Sequence, residues 1–142
     1  MDPTACFTYG SLMSEDIMSA VSGVCAAYCS ATLDGYCRHP VIGAEYPGMV
    51  ASAGHQVRGV LYLDLPPAAW PRLDRFEGEE YERRVVEVAL ADGKLQPAWT
   101  YIFRAELAAR LGEGDWDFAR FLREGKRRFV SGYAGFDSLR AG

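Results

Sequence analysis

The chain has 142 residues, 49% of them hydrophobic, enough for one domain with a sizeable buried core. Its 15 Lys and Arg against 19 Asp and Glu give a net charge of -4 without any basic block, which argues against a nucleic-acid partner. No stretch approaches the ~20 apolar residues that span a bilayer, and Met1-Asp2-Pro3-Thr4 lacks the basic start of a signal peptide, so a cytoplasmic protein away from membranes is expected.

Ala5-Cys6-Phe7-Thr8-Tyr9 is short, apolar and aromatic and runs into Gly10-Ser11, the pattern of a strand ending in a tight loop. Ser14 before Glu15-Asp16, then Ile17, Met18, Ala20 and Val21, with Gly23 as a stop, predict a short helix with acids at its positive end. Val24 to Leu33 reads as a strand of small apolar residues, whereas Asp34-Gly35 and the stretch from Gly43 to Gly54 carry turn residues and predict a loop-rich middle. From Gln56 to Leu65 a partly alternating pattern predicts a strand buried on at least one face.

Pro66-Pro67 punctuates the chain, and Trp70, Leu73 and Phe76 recur at helical spacing, so a second helix is expected over 68–77 with Gly78 closing it. Arg84 to Leu90 and Leu95 to Phe103 are strand patterns joined by Ala91-Asp92-Gly93-Lys94, whose Asp-Gly predicts an antiparallel hairpin. Asp115 or Asp117 caps a last, amphipathic helix carrying Phe118, Phe121, Leu122 and Phe129 on one face, expected to pack across the sheet. The aromatic tail, Trp116, Phe118, Phe121, Phe129, Tyr133 and Phe136, suits core first, and otherwise a cavity lid or dimer surface. Strands interrupted by isolated helices predict an α+β domain around a mostly antiparallel sheet or barrel, with closure left open.

Tyr9-Gly10-Ser11-Leu12, between a strand and a helix, leaves backbone N–H groups to form a nest for a carboxylate or phosphate, although such a junction also takes glycine for structural reasons. Glu77 lies at the end of an apolar helical face between Phe76 and Gly78, where partial burial raises a carboxyl pKa; Glu79, Glu80 and Glu82 read as exposed charges. Cys6, Cys25, Cys29 and Cys37 read as thiols, and the spacing of Cys25, Cys29, Cys37 and His39 matches no zinc pattern, so no metal is expected. His39 and His55 sit in no catalytic arrangement.

Phe7-Thr8-Tyr9-Gly10-Ser11-Leu12-Met13, Tyr46-Pro47-Gly48, Val57-Arg58-Gly59-Val60-Leu61-Tyr62, Leu73-Asp74-Arg75-Phe76-Glu77-Gly78, Tyr81-Glu82-Arg83 and Ala98-Trp99-Thr100-Tyr101 occur in this order. Together they resemble the gamma-glutamylcyclotransferase-like family, which includes gamma-glutamylamine cyclotransferases and plant defence-induced homologues. The resemblance spans almost the whole chain and implies one domain over 1–142, a small mixed, mostly antiparallel β-barrel with flanking helices and a cavity at one end. It implies that Tyr9, Gly10, Ser11 and Leu12 hold a substrate α-carboxylate through backbone donors, that Glu77 is the catalytic acid and base, and that Tyr81 and Tyr101 lie near the cavity.

The implied reaction cyclises a γ-glutamyl amine or amide to 5-oxoproline without a cofactor, in a monomer or homodimer. It needs one proton carrier and a folded substrate, in keeping with a chain that shows no triad or metal motif. Met13-Ser14-Glu15 stands where many relatives carry basic residues and glycine, and no family motif matches from Glu106 onward, which leaves the γ-glutamyl compound open. The alternatives are a non-catalytic small-metabolite-binding protein of the same fold, since fold does not dictate function, and an interaction protein using the aromatic tail.

Overall fold

The computed structural model describes residues 2–133. Its elements are β1 (Cys6–Thr8), a 3₁₀ turn (Ser11–Met13), α1 (Glu15–Ser22), β2 (Tyr28–Pro40), β3 (Pro47–Tyr62), α2 (Ala69–Glu77), β4 (Tyr81–Leu90) and β5 (Leu95–Phe103). A second 3₁₀ turn (Ala105–Arg110) leads to a helical run made of α3 (Phe118–Arg120), a π turn (Phe121–Gly125) and α4 (Lys126–Gly132). The strands close into a barrel in the order β1-β3-β2-β4-β5. All neighbours pair antiparallel except β1 and β5, whose parallel pairing at Cys6 and Trp99 shuts the barrel. Trp99 N–H donates to the Ala5 carbonyl and the buried Thr100 hydroxyl to the Phe7 carbonyl, both at 2.9 Å, and both bonds reinforce this short seam.

Alternation along the strands sorts the core into two clusters. Phe7, Leu33, Met49, Leu61, Val88 and Ala98, drawn from all five strands, pack together inside the barrel. Their strand neighbours Cys6 and Tyr62 belong instead to a cluster with α1, α2 and the C-terminal helical run. Leu73 and Phe76 anchor α2 there, and Arg72 ties α2 to α1 by donating to the Val21 and Ala20 carbonyls at 2.7 and 3.1 Å, which satisfies the open end of α1.

The hairpin is as expected, with Gly93 N–H donating to the Leu90 carbonyl and Lys94 N–H to Asp92 Oδ1. Between Asp117 and Asp115 the geometry decides: Asp117 accepts from Arg120 N–H at 3.2 Å, while Asp115 pairs with Arg38. The loop-rich middle is a correction. β2 starts at Tyr28 rather than Val24 and runs through Asp34-Gly35 to Pro40, and β3 starts at Pro47, nine residues before the expected Gln56. The turn residues are real but sit within the strands: residues 52–55 of β3 bulge opposite Gly35 alone, where Gly35 and Gly54 take φ +84 and +85. β4 likewise begins at Tyr81, because the motif Tyr81-Glu82-Arg83 pairs with Phe103, Ile102 and Tyr101.

The C-terminal helical run also differs from expectation. It packs at the cavity end of the barrel, with Phe129 against the rings of Tyr46, Phe76 and Phe121, rather than across the sheet. Gly125 sits in its wide turn, where a Cβ would run into the Glu45 carboxylate. Of the aromatic tail, Trp116, Phe121 and Phe129 are buried and Phe118 and Tyr133 half-buried, whereas Phe136 lies outside the described residues. No helix among the described residues is long and apolar enough to cross a membrane.

Leu73 is fully buried between the helices and the barrel. Leu73→Ala is expected to cost roughly 2–5 kcal/mol, read as a lower urea midpoint at unchanged m-value.

Candidate active site

A cavity of about 410 Å³, including its open mouth, lies where the end of β1, the start of β3, the end of α2 and α4 meet. It is built first from the loop that follows β1. In Tyr9-Gly10-Ser11-Leu12 each carbonyl is engaged: Tyr9 accepts from Arg38 Nη1 at 2.8 Å, Gly10 from Met13 N–H at 3.0 Å, Ser11 from Ser14 N–H at 3.1 Å, and Leu12 from the Tyr62 hydroxyl at 2.8 Å. A planar trans peptide points its N–H opposite to its C=O, and the first N–H groups of a helical turn have no helical partner. The Gly10, Ser11 and Leu12 N–H groups are therefore held in place as donors beside the cavity that these residues line.

Gly10 is required here by space. Its φ is -131, so positive φ is not the reason for glycine, as the sequence pattern leaves open; a Cβ would lie 2.9 Å from both Cγ and Cδ of Pro47. The Pro47 carbonyl in turn accepts from the Tyr81 hydroxyl at 2.6 Å, so the loop, β3 and β4 meet at one contact.

Glu77, the last residue of α2, faces the same cavity. The residue as a whole keeps partial exposure, but its carboxyl lies among the cavity walls, and those surroundings set its proton affinity. Burial, then the charges of Asp74 and Glu80, push its pKa up to about 8. No hydrogen bond from another described residue reaches that carboxyl to stabilise its charge.

Tyr9, Tyr81 and Tyr101 also line the cavity. Tyr9 donates to the Tyr101 carbonyl and Tyr101 to Asp74 Oδ1 at 2.7 Å, and burial followed by negative neighbours keeps these phenols protonated. Asp74 is paired with Arg83 at 2.9 Å, whose guanidinium lies 4.9 and 4.4 Å from the ring centroids of Trp70 and Trp99.

The sequence assigned no site role to Tyr46 or Arg38, and placed Phe129 and Tyr133 only in an aromatic tail suited to core first and otherwise to a cavity lid or dimer surface. Tyr46, Phe129 and Tyr133 line the cavity, and the Tyr133 hydroxyl donates to the Phe76 and Glu77 carbonyls at 2.6 and 3.1 Å, latching the end of α4 over α2. The Tyr46-Pro47-Gly48 motif was a signal for Tyr46, and the aromatic pattern of the last helix one for Phe129 and Tyr133; nothing local marks Arg38. Glu80 is a correction: it is no solvated charge but is mostly covered, accepting from the Tyr46 hydroxyl at 2.6 Å and pairing with Arg110 at 3.3 Å. Glu79 is exposed, and Glu82 pairs with Arg84 at the surface. Burial pushes the Cys6 thiol up, out of the thiolate range. His39 bonds the Gly114 carbonyl and His55 bonds Ser52, both away from the cavity.

A family model described as "Gamma-glutamyl cyclotransferase, AIG2-like" matches residues 6–118. AIG2-like protein C of Arabidopsis thaliana is 32% identical over 127 residues, covering 88% of this chain and 73% of that protein. A solution structure of an Arabidopsis thaliana protein superposes with a TM-score of 0.71 at 26% identity, over 100% of this chain and 95% of that one. A structure named gamma-glutamyl cyclotransferase shares the fold, with a TM-score of 0.66 at 17% identity over 99% and 88% of the two chains.

Two expectations follow from this geometry. Gly10→Ala forces its methyl into Pro47 and should destabilise the fold by roughly 1–3 kcal/mol, seen in thermal melts together with a shift of the Tyr81 resonances. Glu77 holds a proton in the folded state between its ordinary carboxyl pKa and about 8 that the unfolded chain has released, so wild-type stability declines as pH rises through that window. Glu77→Gln removes this penalty, and its gain over wild type should grow from near zero at pH 4 to about 2–3 kcal/mol at pH 9, a figure discounted for the residue's partial solvent access. Parallel melting curves at the two pH values check it.

Proposed function

The chain belongs to the AIG2-like gamma-glutamyl cyclotransferase family, and on that premise we propose that its cavity cyclises a γ-glutamyl amine or amide to 5-oxoproline with release of the free amine. The observation that carries this reading is the enclosed Glu77 carboxyl, with its pKa pushed up to about 8, facing the same cavity as the loop of tethered peptides. The substrate α-carboxylate sits on the Gly10 and Ser11 N–H groups, which folds the γ-glutamyl chain so that its α-amine reaches its own γ-carbonyl. Holding the two ends together supplies much of the acceleration, because ring closure is intramolecular.

Once the α-ammonium has released one proton to solvent, Glu77 in its ionised form takes a second proton from the amine as it attacks the γ-carbonyl carbon and forms the ring C–N bond. The same carboxyl then delivers that proton to the departing nitrogen as its C–N bond breaks. A pKa near neutrality suits both steps, since a carboxyl near its ordinary value is a feeble base. Phe76, Phe129 and Tyr133 wall the cavity from water, and Tyr81 and Tyr101 line it with protonated phenols.

The test is an assay of 5-oxoproline release from a panel of γ-glutamyl dipeptides and γ-glutamyl amines. Release from one or more is expected; binding without turnover across the panel replaces the enzyme by a metabolite-binding protein of the same fold. On an active substrate Glu77→Gln should lower kcat by about two to four orders of magnitude while the protein stays folded. Glu79→Gln and Glu82→Gln should keep most activity. The free-enzyme kcat/KM should rise with pH through about 8 as the base form appears, and a flat profile from pH 6 to 9 would remove Glu77 from the role of base.

A further inference from the structure

Arg38, on β2, does not line the cavity, yet it is mostly buried and its Nη1 donates to the Tyr9 carbonyl at 2.8 Å. The other edge of its guanidinium is held by Asp115 in a two-bond fork, Nε to Oδ1 at 2.7 Å and Nη2 to Oδ2 at 3.0 Å, and its central carbon lies 5.6 Å from the Trp116 ring centroid. This is a poor way merely to fasten the C-terminal segment. That segment is already tied to β2 by Gly112 N–H to the Pro40 carbonyl at 2.7 Å and by His39 to the Gly114 carbonyl at 2.9 Å.

The Tyr9 carbonyl and the Gly10 N–H belong to one planar trans peptide and point in opposite directions. We infer that Arg38 is a positioning residue for the substrate carboxylate: gripping the Tyr9 oxygen from outside the cavity, it aims the Gly10 N–H inward and places a cation behind the anion site. Among the four tethered carbonyls of the loop, this one alone is held by a charged group, which polarises the peptide and strengthens its N–H as a donor. Asp115 acts one step further back by fixing the guanidinium's orientation.

The inference rests on the carboxylate site of the proposed function, so its test reads binding as well as turnover. ¹⁵N-labelled full-length wild type, Arg38→Met, Arg38→Lys and Asp115→Asn are titrated with 5-oxoproline while the Gly10 and Ser11 amide resonances are followed, with thermal melts as the fold control. Arg38→Met should weaken binding roughly 10–100-fold and raise KM by a similar factor with kcat changed far less, as for loss of a charge-assisted anchor. Arg38→Lys, which keeps the charge and a donor, should recover part of the loss, and Asp115→Asn should weaken binding by a smaller factor. Equal affinity and equal Gly10 shifts in wild type and the folded variants overturn the role of Arg38 and leave the carboxylate site intact. If wild type shows no shift at Gly10 or Ser11, the carboxylate site fails and this inference falls with it. Should Arg38→Met not fold, Arg38→Lys and Asp115→Asn decide between the same outcomes.

Discussion

A peptide group cannot point its two polar ends the same way, and the site of this protein is built on that constraint. From Tyr9 to Leu12 the carbonyls are bound in turn by Arg38 of β2, by two N–H groups of the loop itself, and by Tyr62 of β3. Fixing the oxygens fixes the donors. The loop therefore depends on barrel closure, because β1 brings it to the rim while its restraints come from two other strands. A three-residue strand such as β1 could not hold such a loop alone; pairing with β3 on one side and β5 on the other makes it rigid.

Opposite the loop, the end of α2 holds a carboxyl where a charge is costly. Burial of the Glu77 carboxyl without a hydrogen bond from the described residues is tolerated because Leu73 and Phe76, on the same helix, are fixed in the core, and because Tyr133 bonds the carbonyls of Phe76 and Glu77. The nearby acids Asp74 and Glu80 carry their own partners, Arg83 and Arg110, together with the phenols of Tyr101 and Tyr46. Among the described residues, negative charge is thus neutralised around the cavity at Asp74 and Glu80 and meets no hydrogen-bond donor at Glu77 inside it. Stability is given up there for a carboxyl that can exchange a proton near neutral pH.

Elements whose signals are local were legible in the chain: the strand before Gly10, the helix stopped by Gly23, the helix carrying Trp70, Leu73 and Phe76, and the Asp-Gly hairpin. The long β2-β3 ribbon was not, because Gly35 and Gly54 signal turns and the chain uses them for a bulge inside paired strands. Turn propensity describes a few residues, and the ladder on either side outweighed it. Glu80 was misjudged for the same reason, since its cover comes from Tyr46 and Arg110, 34 and 30 residues away in sequence.

Sequence by itself determined the class of fold, the strand-loop-helix junction with glycine at its turn, and the oddity of a glutamate at the end of an apolar helical face, since each depends on neighbours within a few residues. Tertiary structure alone decided that β5 closes on β1, that Glu77 and the Tyr9–Leu12 loop share one cavity, and that Arg38 reaches the Tyr9 carbonyl across 29 residues of chain. Those facts are distances between remote segments. No local periodicity encodes them, because they exist only once burial of the two core clusters has brought the strands and helices together.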